Sequence, residues 1–345
     1  MLSFLFHSFA WLCVSYVLFL VVQLVRIFLN DCDLILSLYE RWGKRPEAVL
    51  AGKVVWITGA SSGIGEAIAY ELAKAGARLI LSARGEEDLR RVANKCRELS
   101  PISCRDAHLV LVLDLLDTEQ HGPLTAKAVE QNGHIDVLIN NAGSSQRAVV
   151  LDTDLKVDRA VLELNTIGTV SLTKCVLPHM VERGQGSIVV ISSVAGVIGS
   201  PGSASYSMSK HALHGFFNTL RMEVAENGVT VHMVCPGPVD TPYFKRQFGP
   251  VLGKGPEVIR DPGKKDRTRV TAERCAQLTV VALANRLDEV WISKNPILFF
   301  TYMFHYCPLL ANWLGKRIGG NRAKAIKAGE KVIDDSFFSS MKKTE

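Results

Sequence analysis

No pair of cysteines in this 345-residue chain is spaced Cys-x-x-Cys, no Asn-x-Ser/Thr sequon occurs, and residues 1–25 hold no Asp, Glu, Lys or Arg. Each absence excludes something. The 8 cysteines are scattered and lack zinc spacing, so they read as buried or idle thiols rather than a disulfide framework or metal site. No metal cofactor is expected. Without a sequon, glycosylation carries no information about which side of a membrane the body occupies. The charge balance is thin: 40 Lys+Arg against 34 Asp+Glu give +6, too mild and dispersed for a nucleic-acid footprint. A mildly basic chain suits an anionic ligand or a membrane surface better. There is no internal repeat and no low-complexity segment. With 48% hydrophobic and 21% charged residues the composition is ordinary, which excludes disorder, collagen and coiled coil as the main architecture. The length allows about two domains, or one large α/β unit with extensions.

The uncharged start is itself a signal. As a helix, residues 1–25 would span roughly 37 Å, enough to cross a hydrocarbon core of about 30 Å with some tilt. The run has no basic n-region and outlasts a usual h-region, so a retained anchor over residues 1–28 is expected rather than a cleaved signal peptide. Arg26, Arg41, Lys44 and Arg45 follow it and no Lys or Arg precedes it, which by the positive-inside tendency places the body on the cytosolic side. Residues 29–50 are polar, contain Gly43 and Pro46, and are expected to be a linker. Residues 296–345 hold a second apolar run, 296–314, broken by His305 and Pro308 and followed by a basic tail from Lys316 to Lys331. Pro308 argues against a second span. Two readings stay open for this run: an interfacial segment lying on the bilayer, or a helix packed over the substrate pocket or against a partner.

Between the ends, residues 51–295 alternate short β-rich apolar runs with helix-like stretches. The strands are predicted at Lys53–Thr58, Arg78–Ser82, His108–Leu113, Ile135–Ile139, Ser187–Ser192, Val229–Cys235 and Glu289–Ser293. Their nearly continuous apolar character suits strands buried on both faces. A helix is predicted over Gly65–Ala77, where Ile68 and Leu72 share a face. The expected class is α/β, a doubly wound parallel Rossmann sheet of about seven strands with helices on both faces.

Directly after the first predicted strand comes Thr58-Gly59-Ala60-Ser61-Ser62-Gly63-Ile64-Gly65. Glycines here let the backbone turn sharply and approach a pyrophosphate, and the following helix N-terminus offers unpaired N–H groups to it. The spacing G-x-x-x-G-x-G differs from the ordinary dinucleotide fingerprint. About twenty residues on, an NAD enzyme would present an acid to the ribose. This chain has Ser82-Ala83-Arg84 instead, and Arg84 can grip a 2′-phosphate that an acid would repel. NADPH/NADP+ is therefore expected in preference to NAD(H), against the alternative that Arg84 is a solvated loop cation. Asp114 is placed either to accept from the adenine amino group or to serve a turn.

Tyr206 and Lys210 stand four apart, on one helical face. Ser193 ends the fifth predicted strand, where open α/β sheets bind ligands, and Asn165 lies in the helical stretch before it. Thr58–Gly65, Asn140-Asn141-Ala142-Gly143, Asn165, Ser193, Tyr206, Lys210 and Pro236-Gly237 occur together in this order. Jointly they resemble a classical short-chain dehydrogenase/reductase over roughly residues 50–295. The anchor, Ser171–Met180 and Glu289–Ser293 are similar to the member-seven group of that family, membrane-associated reductases of the endoplasmic reticulum.

The resemblance implies NADPH-dependent reduction of carbonyls on steroids, retinoids and xenobiotics. Tyr206 is then the general acid and Ser193 a hydrogen-bond donor to the developing oxyanion, with Ser192 its rival. Lys210 is expected to lower the phenol's pKa by about three units, roughly 4 kcal/mol, and to hold the nicotinamide ribose. Asn165 is expected to support a water relay to Lys210. Cofactor contacts are expected from Thr58, Gly59, Ser61, Ser62, Gly63, Ile64, Gly65, Arg84, Asp114, Asn141, Gly143, Tyr206, Lys210, Pro236, Gly237, Val239 and Thr241. Thr241 has the alternative of a helix N-cap. Residues 240–275 are expected to form a substrate lid carrying Tyr243, Phe244, Phe248, Val251 and Leu252. Apolar positions at Leu213, Phe216, Phe217 and Leu220 would serve either a homodimer or the core. The expected partners are a small lipophilic carbonyl or alcohol substrate and the lipid bilayer, with no nucleic acid. Two other readings are an NAD(P)+-dependent alcohol or hydroxysteroid dehydrogenase and an inactive nucleotide-binding scaffold.

Overall fold

Residues 29–50, expected to be a linker, are built into the body instead. Asp33 caps helix α1 (Leu34–Trp42) by accepting from the Leu36 N–H at 2.9 Å, and its second oxygen accepts from the Trp291 N–H at 2.7 Å. Cys32 and Leu36 are buried, and Arg274 bridges Asp31 and Glu40. A short helix α2 (Pro46–Leu50) follows, opened by proline at its first turn and buried at Leu50. The polar residues that suggested a linker serve as cap and ion-pair partners, and for that reason their composition misled. The structure is a computed structural model that describes residues 29–241, 247–255 and 269–327, together with Trp11, Val14–Tyr16, Phe19 and Val22. Those N-terminal residues are helical and exposed. The rest of 1–28 lies outside the described residues.

Strand β1 (Val54–Thr58) is buried along its whole length. Val55 and Ile57 enter one core and Val54 and Trp56 the other, as the two-residue period of a strand requires. The indole of Trp56 donates to Ser82 Oγ at 2.8 Å, so its one polar atom is satisfied. The chain then alternates: α3 (Gly63–Lys74), β2 (Arg78–Ser82), α4 (Glu86–Leu99), β3 (Leu109–Val110), α5 (His121–Asn132), β4 (Val137–Asn140). Next come α6 (Leu155–Leu162), a π-helical turn at Glu163–Ile167, α7 (Gly168–Glu182), β5 (Gly186–Ile191), α8 (Ala204–Glu223) and β6 (Val229–Pro236). Two short strands, β7 (Val239–Asp240) and β8 (Val270–Thr271), pair with each other before α9 (Ala272–Ala284) and β9 (Glu289–Ile292).

The main sheet has seven parallel strands in the order β3-β2-β1-β4-β5-β6-β9, each at a place where a strand was predicted. Helices α3, α4 and α9 cover one face and α5, α7 and α8 the other. Most strand bounds shift by a residue or two, and two elements depart further. His108–Leu113 shortens to Leu109–Val110 because β3 is the edge strand; the Leu111 and Leu113 N–H groups still reach Leu81 O and Ala83 O. The helix expected from Gly65 begins at Gly63. The helical stretch Leu155–Glu182 is long and apolar enough to span a membrane, yet Leu172, Val176 and Met180 are fully buried against the sheet. Leu213, Phe217 and Leu220 are likewise buried in the chain's own core, with Phe216 partly buried beside them.

The C-terminal run forms α10 (Ile297–Tyr306) and α11 (Pro308–Lys327). Leu298, Phe300, Met303, Ala311 and Ile318 are buried, and a Cβ on Gly202 would meet Ile326 at 2.2 Å. This hairpin therefore packs over the catalytic unit.

Candidate active site

The chain runs outward through β1, β2 and β3 on one side and through β4, β5, β6 and β9 on the other. The order reverses between β1 and β4, and open α/β sheets bind ligands at the strand ends beside such a switch. A cleft of about 790 Å³ opens there, within the range of ligand pockets.

Its floor is the glycine loop. Gly59 (φ +64°) and Gly63 (φ +61°) adopt the left-handed conformation that side chains disfavour. A Cβ on Gly59 would stand 2.8 Å from Ala142 Cα, and one on Gly65 only 2.3 Å from Gly59 O. Ser62 occupies the N-cap of α3 without a side-chain cap bond. The backbone cradle and helix start fit a diphosphate.

The opposite wall carries the reactive side chains. β5 delivers Ser193 just past its end, where the hydroxyl donates to Pro236 O and accepts from the Ala195 N–H, both at 3.1 Å. Helix α8 places Tyr206 and Lys210 one turn apart, with the ammonium 5.7 Å from the centre of the phenol ring. Lys210 is buried and donates to Ile191 O at 2.8 Å. All three side chains line the cleft.

The short chain dehydrogenase family model matches residues 53–249. Human "Dehydrogenase/reductase SDR family member 7" is 45% identical over 334 residues, covering 96% of this chain and 97% of that protein. The chain belongs to the short-chain dehydrogenase/reductase family. The mouse protein of the same name is also 45% identical, over 89% of each chain. A Drosophila melanogaster "Dehydrogenase/reductase SDR family protein 7-like" is 35% identical over 86% of this chain and 89% of its own. Among solved structures, a short-chain dehydrogenase/reductase from Burkholderia phymatum in complex with NAD superposes with a TM-score of 0.64. It is 26% identical, covering 76% of this chain and 96% of that one.

Of the positions expected at the site of this dehydrogenase/reductase chain, Gly59, Ser61, Ser62, Gly63, Ile64, Arg84, Asp114, Asn141, Gly143, Pro236, Gly237, Val239 and Thr241 line the cleft. Three do not. Thr58 Oγ1 accepts from the Asn141 and Ala142 N–H groups at 3.0 and 3.1 Å, tying the end of β1 to the loop after β4. Gly65 sits beneath the loop as a close-packing position. Asn165, expected to carry a water relay, has its amide engaged at both ends. Its Oδ1 accepts from the Ser144 N–H at 2.7 Å, and its Nδ2 donates to Ser144 O and Ser209 Oγ. From inside the π-turn it stitches the loop after β4 to α8. Asp114 lines the cleft while accepting from the Leu116 N–H, so it also serves a turn. Arg84 is exposed on the rim and makes no ion pair with a described residue; nearby Asp88 turns toward Arg91 at 3.7 Å.

The electrostatics correct one expectation. Burial pushes the Tyr206 phenol up, not down, with the neighbouring Ser193 hydroxyl pulling the other way. Lys210 points at Ile191 O, and burial lowers it to about 8. The sign follows: the ammonium is disfavoured in this pocket and is lost as pH rises through about 8. Affinity for NADPH, followed by its fluorescence, should fall above that pH as the positive charge leaves the cleft. Lys210→Met protein should bind weakly with no such break, and an unbroken profile in the native protein would contradict the assignment.

Ser192 lines the cleft too, and it is engaged from behind: His214, one turn beyond Lys210, lies 3.0 Å from Ser192 Oγ, while Ser193 is bonded to backbone. Residues not anticipated also line the cleft. Ile297 and Phe300 from α10 and Arg322 from α11 reach the cleft through a tertiary approach that no local pattern announces. Of the expected lid, Gln247 and Arg269 line the cleft, and Phe248 N–H bonds Ser145 O. Val251 and Leu252 are exposed, while Tyr243 and Phe244 lie outside the described residues.

Proposed function

We propose that this chain is a membrane-anchored, NADP(H)-dependent reductase of carbonyl groups on lipophilic substrates such as steroids, retinoids and xenobiotic ketones or aldehydes. The observation that carries the reading is geometric: Tyr206, a buried Lys210 one helical turn on with its ammonium 5.7 Å from the phenol ring centre, and Ser193 all line the same cleft as the glycine cradle. The cofactor of the Burkholderia relative is NAD, and the residues present here fit a dinucleotide of that kind. Gly59–Gly63 and the start of α3 would hold its diphosphate, Asp114 its adenine, Arg84 a 2′-phosphate, and Pro236–Val239 with Thr241 its nicotinamide end. When bound and reduced, that group supplies hydride to a carbonyl carbon.

The chain's own residues do the rest. Tyr206 donates its proton to the carbonyl oxygen as negative charge builds there. Ser193, whose hydroxyl donates to Pro236 O in this structure, would turn that hydroxyl toward the same oxygen and donate to it as charge develops. The Lys210 ammonium steadies the phenolate that remains until solvent reprotonates it. Val194, Ile198, Ile297 and Phe300 give the substrate side an apolar lining. The uncharged N-terminal run and its exposed helical residues support the anchor.

Replacing Arg84 by aspartate removes a charge-assisted contact and adds a repulsive one. NADPH kcat/KM should fall about a hundredfold while NADH kcat/KM changes little, because a 2′-phosphate contact is worth roughly 2–3 kcal/mol. Equal loss for both cofactors would refute the role of Arg84. The activity itself is tested by screening detergent-solubilised protein against steroid ketones, retinal and quinones while following NADPH absorbance. Turnover confined to small water-soluble aldehydes would overturn the lipophilic reading.

A further inference from the structure

Helix α1 turns Leu34, Leu38 and Trp42, with Ile35 and Tyr39 beside them, to solvent, while Leu36 faces the core. The α10–α11 hairpin exposes Phe299, Tyr306, Leu309, Leu310 and Trp313, with Leu309 88% exposed. The two faces meet at Tyr302, whose hydroxyl accepts from the Leu34 N–H at 2.9 Å and whose ring stacks on Tyr306. Apolar exposure of this extent marks an interaction surface. We propose that it is an interfacial lipid contact, separate from the N-terminal run, that seats the mouth of the cleft on the bilayer. The proposal rests on the reading of that run as an anchor.

Three observations select lipid as the occupant. The chain enters this face directly from the apolar run: Leu29 is exposed, and Asp31 and Asp33 are already locked to Arg274 and Trp291. An anchor in the bilayer would therefore hold the face close to it with no slack between. Aromatic rings sit beside cations, as at a headgroup boundary: the Arg317 guanidinium lies 3.9 Å from the Trp313 ring centre and that of Arg41 5.4 Å from Trp42. Finally, α10 presents Phe299 on this face and Ile297 and Phe300 to the cleft, so the surface borders the route an apolar substrate takes from lipid.

The chain has 5 tryptophans, of which Trp56 and Trp291 are buried and Trp11 lies in the anchor run. The test uses full-length Trp11→Phe protein in vesicles of phosphatidylcholine and phosphatidylserine, with the phosphatidylcholine brominated or not. Flotation of the vesicles reports the anchor independently. Bromine should quench this protein at least about twofold more than the Trp11→Phe/Trp42→Phe/Trp313→Phe variant, because rings at an interface lie within reach of brominated acyl chains. Unchanged reduction of a water-soluble aldehyde shows that both proteins are folded. Flotation with equal quenching of the two would sink the lipid contact and leave the anchor standing. Excess quenching without flotation in high salt would do the reverse. Rings shielded from bromine in a dimer that Trp313→Ser dissociates would assign the face to a second copy and overturn the proposal.

Discussion

Tyr206→Phe protein should bind NADPH with near-native affinity and lose turnover by about a thousandfold, inside the range of roughly 10² to 10⁴ that a positioned acid contributes. Only the phenol hydroxyl is removed. Ser193 keeps its bonds to Pro236 O and the Ala195 N–H, so the end of β5 and the turn after it stay in place. The ring retains its packing in α8, and the melting temperature should move little. The effect should therefore fall on kcat, because the lost interaction forms only as charge develops on the carbonyl oxygen. Single-turnover mixing with saturating NADPH separates binding from chemistry. A variant that turns over at the native rate would remove Tyr206 from the acid role.

Lys210→Met should be nearly as damaging, and in a different way. The ammonium is buried, is held by Ile191 O, and stands beside both the phenol and the ribose end of the cleft. Methionine fills similar volume but carries no charge. Turnover should drop by at least about a hundredfold, as loss of a charged hydrogen bond in such a pocket costs a few kcal/mol. Unlike Tyr206→Phe, this variant should also bind NADPH more weakly. The freed Ile191 carbonyl costs about 1–3 kcal/mol of stability, visible as a lower melting temperature. Native NADPH affinity in a folded variant would confine Lys210 to the chemistry.

The parts legible in sequence were those written in local pattern. Doubly buried strands read as apolar runs, so each of the seven sheet strands was anticipated, and β1 within one residue. Gly59, Gly63 and Gly65 were legible because few other residues tolerate those torsions and contacts. What local pattern hides is where a polar group finds its partner. Asp31, Asp33 and Glu40 read as linker because Arg274 and the Trp291 N–H lie far along the chain. Thr58 and Asn165 belong to the site's motifs, yet their side chains hold loops together beneath the cleft. The raised phenol and lowered ammonium follow from burial, which depends on the assembled walls and not on the four-residue spacing that identifies the pair.

The most direct test of the reductase account follows an isotope. NADPH carrying deuterium on one face of carbon 4, and then on the other, is incubated with purified protein and a lipophilic ketone, and the alcohol is examined by mass spectrometry. Label on the carbinol carbon from one face alone is the outcome expected of hydride delivered in a fixed cleft opposite Tyr206. Alcohol formed without label from either face, or label appearing in water, would contradict it.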